Sequence, residues 1–307
     1  MTTLPQRIER VAIIGLGLLG GSIGLAVRER ASEIVTTGYD RDPAVRKKAR
    51  ELGLVSKVCE SLSDTVAAAD LVILCVPMGA MQEAARALAP HVADNAIISD
   101  VGSSKTGLAE LLGQELAHHA IIPAHPVAGT EQSGPEAGFS SLFNNRWCIL
   151  TPPQGSNEQA TALLSEFWTR LGARVELMDA EHHDLVLAVT SHIPHLIAYT
   201  IVGTASDLED VTRSEVIKYS AGGFRDFTRI AASDPVMWRD VFLSNKTAVL
   251  EVLGRFTEDL TALQRAIRSG DGDTLHDLFS RTRAIRRQVI EQGQDDDRPD
   301  FGRADHD

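Results

Sequence analysis

An apolar run, Val11 to Ile14, ends in three glycines, Gly15, Gly17 and Gly20, with Leu16, Leu18 and Leu19 between them. No other feature restricts the fold as much. Glycine at these three places permits a tight turn, close approach of the backbone to a pyrophosphate, and close helix–strand packing. The helix that follows presents free N–H groups and a positive dipole to phosphate. A second run, residues 34–40, ends in Gly38-Tyr39-Asp40, with Asp40 placed 20 residues after Gly20. A carboxylate there accepts from both ribose hydroxyls and repels a 2′-phosphate. The expected cofactor is therefore NAD, with NADP as the less favoured alternative because Arg41 follows at once.

Further β-branched runs at 70–77, 95–102 and 119–126 alternate with helix-compatible stretches. Such alternation means βαβ units and a parallel sheet covered on both faces. Two more strands are expected at RWCILTP and ARVELM, with a helix between them. Beyond about Met178 the apolar spacing turns helical and strand alternation stops. The reading is an α/β dinucleotide-binding domain over 1–178, a helical domain over 179–293, and a disordered acidic tail over 294–307. The helical half is apolar enough to need a covered face, so a homodimer is expected.

Composition excludes several classes. The net charge of −12 argues against a nucleic-acid partner. The three cysteines are scattered, no leader is evident and no unbroken membrane-length apolar run is seen, so a cytoplasmic protein without a membrane partner is expected.

Candidate chemistry gathers at strand ends, where ligands bind in such folds. Val76 and Pro77, with Met78, end the run 70–77 and are expected along the nicotinamide half of the cleft. His125 ends the run 119–126 and is followed by Pro126, which restricts its backbone to the extended region. An imidazole titrating near ~6.5 is suited to take a hydroxyl proton. Ser103 and Ser104 follow another strand end, either as helix caps or as partners of His125 and the substrate. His183, His192 and His195 share a helical region around Pro194, and a polar pocket is preferred there over a metal site. Arg225, Arg229 and Arg239 are candidate binders of an anionic substrate, and spacing alone does not choose among them.

The set GLGLLGGSIG, GYDRD, ADLVILCVP, SDVGSSK, HPVAGTEQSGP, SHIPH and GGFRDFTRIAASDPVMWRD resembles the prephenate/arogenate (cyclohexadienyl) dehydrogenases of tyrosine biosynthesis. The resemblance runs from about Val11 to about Gln292. It implies a Rossmann-type domain followed by an all-α dimerisation domain, and NAD-linked oxidative decarboxylation. It implies His125 as the catalytic histidine and Ser103 as the serine bonding it. Arg229 would bind the substrate carboxylate, His183 and His195 would line the pocket, and Thr130 and Glu131 would belong to the substrate loop. Asp226 and Trp238 would lie near the pocket mouth. Neither a chorismate mutase domain before the chain nor an ACT domain after it is expected. Two other readings stay open. One is a β-hydroxyacid type of dehydrogenase using Lys218 or, better, Lys246; the other is a non-catalytic NAD-binding protein.

Overall fold

The computed structural model describes residues 4–130, 132–208, 218–219 and 221–291. By packing, the chain divides into a unit ending at Val252 and a second beginning at Leu253. In the first unit a six-stranded parallel sheet has the order β3-β2-β1-β4-β5-β6. Its strands are β1 (Arg10–Ile14), β2 (Val35–Tyr39), β3 (Lys57–Val58), β4 (Leu71–Leu74), β5 (Ile97–Asp100) and β6 (Ala120–Ile121). This is the Rossmann order, and the reversal between β1 and β4 leaves a crevice at their C-terminal ends. Ile13, Leu71, Ile73 and Ile97 lie in the core on one face of the sheet, and Ala12, Val72, Leu74 and Ile98 in the core on the other. Burial on both faces explains why these strands read as unbroken apolar runs.

The helices follow their sequence signals. Helix α1 (Leu18–Arg30) begins at Gly17. Helix α2 (Pro43–Leu52) is capped by Asp42, opens on a proline and stops at left-handed Gly53. Helices α3 (Leu62–Val66), α4 (Met81–Leu88) and α5 (Leu108–Glu115) complete the covering of the parallel sheet. A second, three-stranded sheet has the order β7-β8-β9. It comprises β7 (Ala124–Pro126), β8 (Trp147–Leu150) and β9 (Arg174–Leu177), with α6 (Glu158–Arg170) between the last two.

The run 119–126 is thus not one strand of the parallel sheet, as its pattern suggests. Pro123 divides it. Ala120–Ile121 edges the parallel sheet, whereas Ala124–Pro126 pairs antiparallel with β8 in the second sheet. The N–H of Ala124, just past the proline, donates to Asp100 Oδ1 at 3.2 Å rather than to a strand.

After Leu177 the described elements are helical: α7 (Ala180–Leu187), a π turn (Ala188–His192), α8 (Ile193–Asp207), α9 (Gly222–Thr228), a 3-10 turn (Arg229–Ala232) and α10 (Pro235–Ser244). The sequence break around Gly222 and Gly223 is therefore a helix start, while residues 211–217 of that stretch lie outside the described part. Pro194 explains the π turn. It has no N–H and crowds the carbonyl four residues back, and just before it the Ile193 N–H reaches Ala188 O instead. Ala180–Asp207 is 28 residues long and its most apolar 18-residue stretch has a mean hydropathy of 1.6, so by length and composition alone this helix is long and apolar enough to cross a membrane. The expectation of no such run is corrected: polar interruptions hide it in the letters, yet the helix is continuous through the π turn. It carries buried His183, Asp184 and His192, which hold partners within the first unit.

The second unit holds most of α11 (Lys246–Ser269) and all of α12 (Gly272–Glu291), joined at left-handed Gly270. The acidic tail 294–307 lies outside the described residues.

Candidate active site

The glycine turn has the geometry a dinucleotide needs. Gly15 has φ +100°, and a Cβ there would lie 2.4 Å from Cys75 O. A Cβ on Gly20 would lie 1.9 Å from Gly15 O, so no side chain fits without moving the turn. Around Gly17 a Cβ would meet nothing within 4 Å, leaving the outer side of the turn open for a ligand. Leu16 is buried, while Leu18 and Leu19 are half-buried at the start of α1. Asp40 Oδ2 accepts from Leu16 N at 3.0 Å, and its Oδ1 accepts from Asp42 N at 3.0 Å. These bonds hold the carboxylate at the end of β2 beside the turn. Arg41 is exposed next to it. Val76 is half-buried and Pro77 exposed beyond β4, and Met78 opens the short turn that follows. A Cβ on Gly79 in that turn would come within 2.8 Å of Asp240 Oδ2, so α10 crosses close to the end of β4.

His125 sits in the middle of β7, opposite Ile149, and is 8% exposed. Its Nδ1 lies 2.9 Å from His183 Nε2, and His183 Nδ1 lies 2.8 Å from Asp184 Oδ1. Asp184 also accepts from Lys105 N at 2.8 Å and Thr106 N at 2.9 Å. Burial pushes the Asp184 carboxyl upward, but the bonds from His183, Thr106 and Lys105 together hold it below the usual aspartate value. A carboxylate only accepts, so His183 Nδ1 carries the proton. In a neutral His183 ring, Nε2 then accepts, so His125 Nδ1 donates to it. The lone pair of His125 is left on Nε2, which has no partner among the described residues and is not sealed from solvent. Burial, then the neighbouring His183, Lys105 and His192, pull the His125 pKa well below the ordinary histidine value, so the ring is neutral at pH 7.

Ser103 makes no hydrogen bond to His125 among the described residues. His125 Nδ1 is met by His183, and buried Ser104 donates to Ser244 Oγ at 2.8 Å. His183 is fully buried behind His125, so it meets that ring rather than open pocket.

Beneath the site, Asp100 and Lys105 form an ion pair with both side chains 0% exposed. Asp100 Oδ2 also accepts from Gly102 N at 2.6 Å. Burial pulls the Lys105 pKa down, and Asp100 opposes that pull. Neither residue was chosen from sequence, although both stand in SDVGSSK; a fully buried lysine is rare enough to be passed over. Asp184 and Asn245 were missed likewise. Asn245 Nδ2 donates to Asp184 O at 2.8 Å and to His192 Nδ1 at 3.1 Å. The pKa of His192 falls to about 4, chiefly through burial.

Along the same helix, His195 stacks on Trp238 with ring centroids 3.7 Å apart and donates from Nδ1 to Ser191 O at 2.8 Å. Its pKa is lowered by burial, against the Ser191 bond, with a further push from Arg229. Arg229, at the start of its 3-10 turn, is therefore near His195. Trp238 is 7% exposed and stands 6.0 Å from the His192 ring. Asp226 is exposed on α9. Thr130 lies in the loop after β7 and accepts from Gln132 N at 3.2 Å; Glu131 lies outside the described residues. The loop's far end is tied to α1, where Phe139 N donates to Ser22 Oγ at 3.0 Å. Lys246 is exposed, while its neighbour Asn245 turns inward, which removes support for a lysine-based site there.

A Rossmann sheet with an open phosphate turn, joined to helices that complete a histidine site, defines a two-domain dinucleotide-dependent dehydrogenase. Residues 23–177 match the nucleotide-binding domain of prephenate dehydrogenase, and residues 179–281 match its dimerization domain. The chain belongs to the prephenate dehydrogenase family. It is 45% identical to a cyclohexadienyl dehydrogenase of Zymomonas mobilis over 91% of this chain and 95% of that one. It is 32% identical to a prephenate dehydrogenase of Bacillus subtilis over 92% of this chain and 76% of that one. A crystal structure of Aquifex aeolicus prephenate dehydrogenase with hydroxyphenyl propionate and NAD+ superposes with a TM-score of 0.86 at 33% identity, covering 94% of this chain and all (100%) of that one. Synechocystis arogenate dehydrogenase superposes at 0.77 with 27% identity, covering 91% of this chain and 99% of that one.

Proposed function

We propose that this enzyme oxidatively decarboxylates prephenate, arogenate or both, using NAD, with His125 as general base. Prephenate gives 4-hydroxyphenylpyruvate and arogenate gives tyrosine. The observation that carries the reading is the state of His125: neutral, Nδ1 engaged, and Nε2 left as an acceptor. When bound, NAD+ supplies the hydride acceptor for the hydroxyl-bearing ring carbon. His125 Nε2 takes the hydroxyl proton as the ring carbonyl develops. Loss of the ring carboxylate is driven by aromatisation, so no acid is required at that carboxylate. Arg229, close enough to His195 to lower its pKa, orients the substrate's negative charge, Thr130 and Glu131 belong to the loop for its side chain, and Asp226 belongs near the pocket mouth. Ser103, one turn of loop from the buried network, is left for the substrate hydroxyl or the cofactor. Residues 179–293 act as the substrate-completing and dimerising half. Exposed Val189, Ile201 and Leu208 supply the apolar face that a second copy would cover. A sedimentation mass of one chain would refute the dimer. The free thiols Cys59, Cys75 and Cys148 suit a reducing, cytoplasmic setting.

NADH formation with each substrate, followed by absorbance, tests the reaction; no turnover of either would refute it. Arg229→Ala is expected to raise KM by about 10- to 100-fold with a smaller effect on kcat, the worth of a charge-assisted bond. An unchanged KM would move the carboxylate to another cation. Asp40→Ser is expected to shift the ratio of kcat/KM values toward NADP by roughly 10-fold or more, since the carboxylate that opposes a 2′-phosphate is gone. An unaltered ratio would mean that Asp40 does not read the ribose.

A further inference from the structure

His183 and Asp184 are adjacent in sequence, yet they touch two different parts of the fold. His183 reaches β7 through His125, and Asp184 grips the N–H groups of Lys105 and Thr106 in the loop after β5. Both side chains are almost wholly buried. A pair that served only to fasten the loop would need the carboxylate alone. Here one carboxylate oxygen, Oδ1, is shared between Lys105 N and His183 Nδ1, and the imidazole continues the chain to His125.

We infer that Asp184 and His183 are positioning residues for the general base, forming a buried Asp184–His183–His125 relay that fixes His125 as the Nδ1–H tautomer and stabilises its charged form. This rests on the reading of His125 as the base and adds to it the origin of its orientation. With His183 neutral, the order of donors allows one arrangement. Asp184 accepts, His183 donates from Nδ1 and accepts at Nε2, and His125 donates from Nδ1. When the substrate's hydroxyl proton arrives at His125 Nε2, the ring keeps its Nδ1 proton and becomes an imidazolium. That cation then points through His183 at a buried carboxylate, with no group needing to turn. A carboxylate holding a neighbouring imidazole in one tautomer is established physics; here a second imidazole is interposed. Other charged or titratable groups also face His125. Lys105 lies in the loop after β5 and His192 on the π turn, and Lys105 is itself acted on by Asp100 and Cys148. Burial, His183, Lys105 and His192 all oppose the charged form, and the buried carboxylate at the far end of the relay is the charge set against them.

The test uses the full chain. In the unaltered enzyme with labelled histidine, nitrogen NMR near neutral pH is expected to show His125 protonated at Nδ1 and bare at Nε2. A proton on Nε2 instead would overturn the relay without any kinetic measurement. His183→Phe removes the acceptor for His125 Nδ1–H and is expected to lower kcat by roughly 10²-fold with little change in KM. His183→Gln can still accept that proton through its carbonyl, and is expected to recover a measurable part of the loss. Equal kcat in the two variants would overturn the inference. Asp184→Asn keeps its acceptor oxygen but loses the charge, so protonated His125 is less favoured and the acid limb of the kcat profile moves to lower pH. A limb that stays in place would mean that Asp184 only fastens the loop. Should a variant fail to fold, the tautomer of the unaltered enzyme decides. If the enzyme turns over neither substrate, the proposed reaction fails while the tautomer measurement still stands or falls by itself.

Discussion

Replacing His125 by asparagine is expected to lower kcat by roughly 10²–10⁴-fold while KM changes little. Asparagine is polar, smaller than histidine and able to accept a hydrogen bond, so the substrate hydroxyl keeps a partner in the ground state. It cannot take the proton, so the loss falls on the transition state. The variant also leaves His183 Nε2 near an amide that can donate, which spares the buried network a bare acceptor. The unaltered enzyme supplies a matching sign. Because burial and its neighbours hold the His125 pKa well below 6.5, the base is deprotonated at neutral pH. The acid limb of kcat/KM should therefore lie below pH 6.5, and activity should fall only as the pH drops through that lowered value. Near-normal kcat in the variant would show that the proton goes elsewhere.

The second large effect concerns stability. Lys105→Met should destabilise the fold by about 3–5 kcal/mol, the usual cost of removing one partner of a buried pair. Lys105 and Asp100 are both wholly buried, and the loss leaves a carboxylate with only the N–H groups of Gly102 and Ala124 to compensate it. At roughly 2–4 °C per kcal/mol for a unit of this size, the unfolding midpoint should fall by about 10 °C. Methionine retains most of the lysine stem, so packing loss is a small part of the change. Adding Asp100→Asn should recover some of the drop, because the two sites are coupled. A midpoint within a degree of the unaltered protein would mean the pair is energetically neutral. Activity should suffer too, since Asp100 fastens Ala124, the residue before His125.

What could be read from the letters, and what could not, follows from the range of each interaction. The phosphate turn and the caps of α2 are local: each depends on residue types within a few positions, and each has a stereochemical reason to be there; Asp40 was legible instead through its fixed interval from the glycine turn. His125 was legible as a residue at a strand end. Its sheet was not, because Pro123 hands the chain from one sheet to the other through a contact with Asp100, 24 residues away. The neighbour of His125 on Nδ1 was not singled out for a related reason. Ser103 and His125 end neighbouring runs, so proximity favoured the serine. The ring is instead met by His183, 58 residues later on a helix whose approach no local pattern encodes. His183, His192 and His195 were read as one polar group, but which histidine faces inward is set by packing. Lys105 is the extreme case, since nothing in its immediate neighbours announces a lysine with no exposed surface.

The π turn has a consequence for angular phase. His183 and His195 are 12 residues apart; at 100° per residue a regular helix would separate them by about 120° around its axis. The wider turn takes up the equivalent of one residue and gives back roughly a quarter of a revolution. His183, which meets the base, and His195, which stacks on Trp238, are thereby brought toward a common side of one continuous rod. Removing a single residue between Ala188 and His192 could restore regular winding with the phase of both histidines nearly intact. Forcing regular winding at the present length would rotate His195 and the rest of α8 away from Trp238. The extra residue therefore acts as a clocking element, setting the azimuth of one end of the pocket against the other.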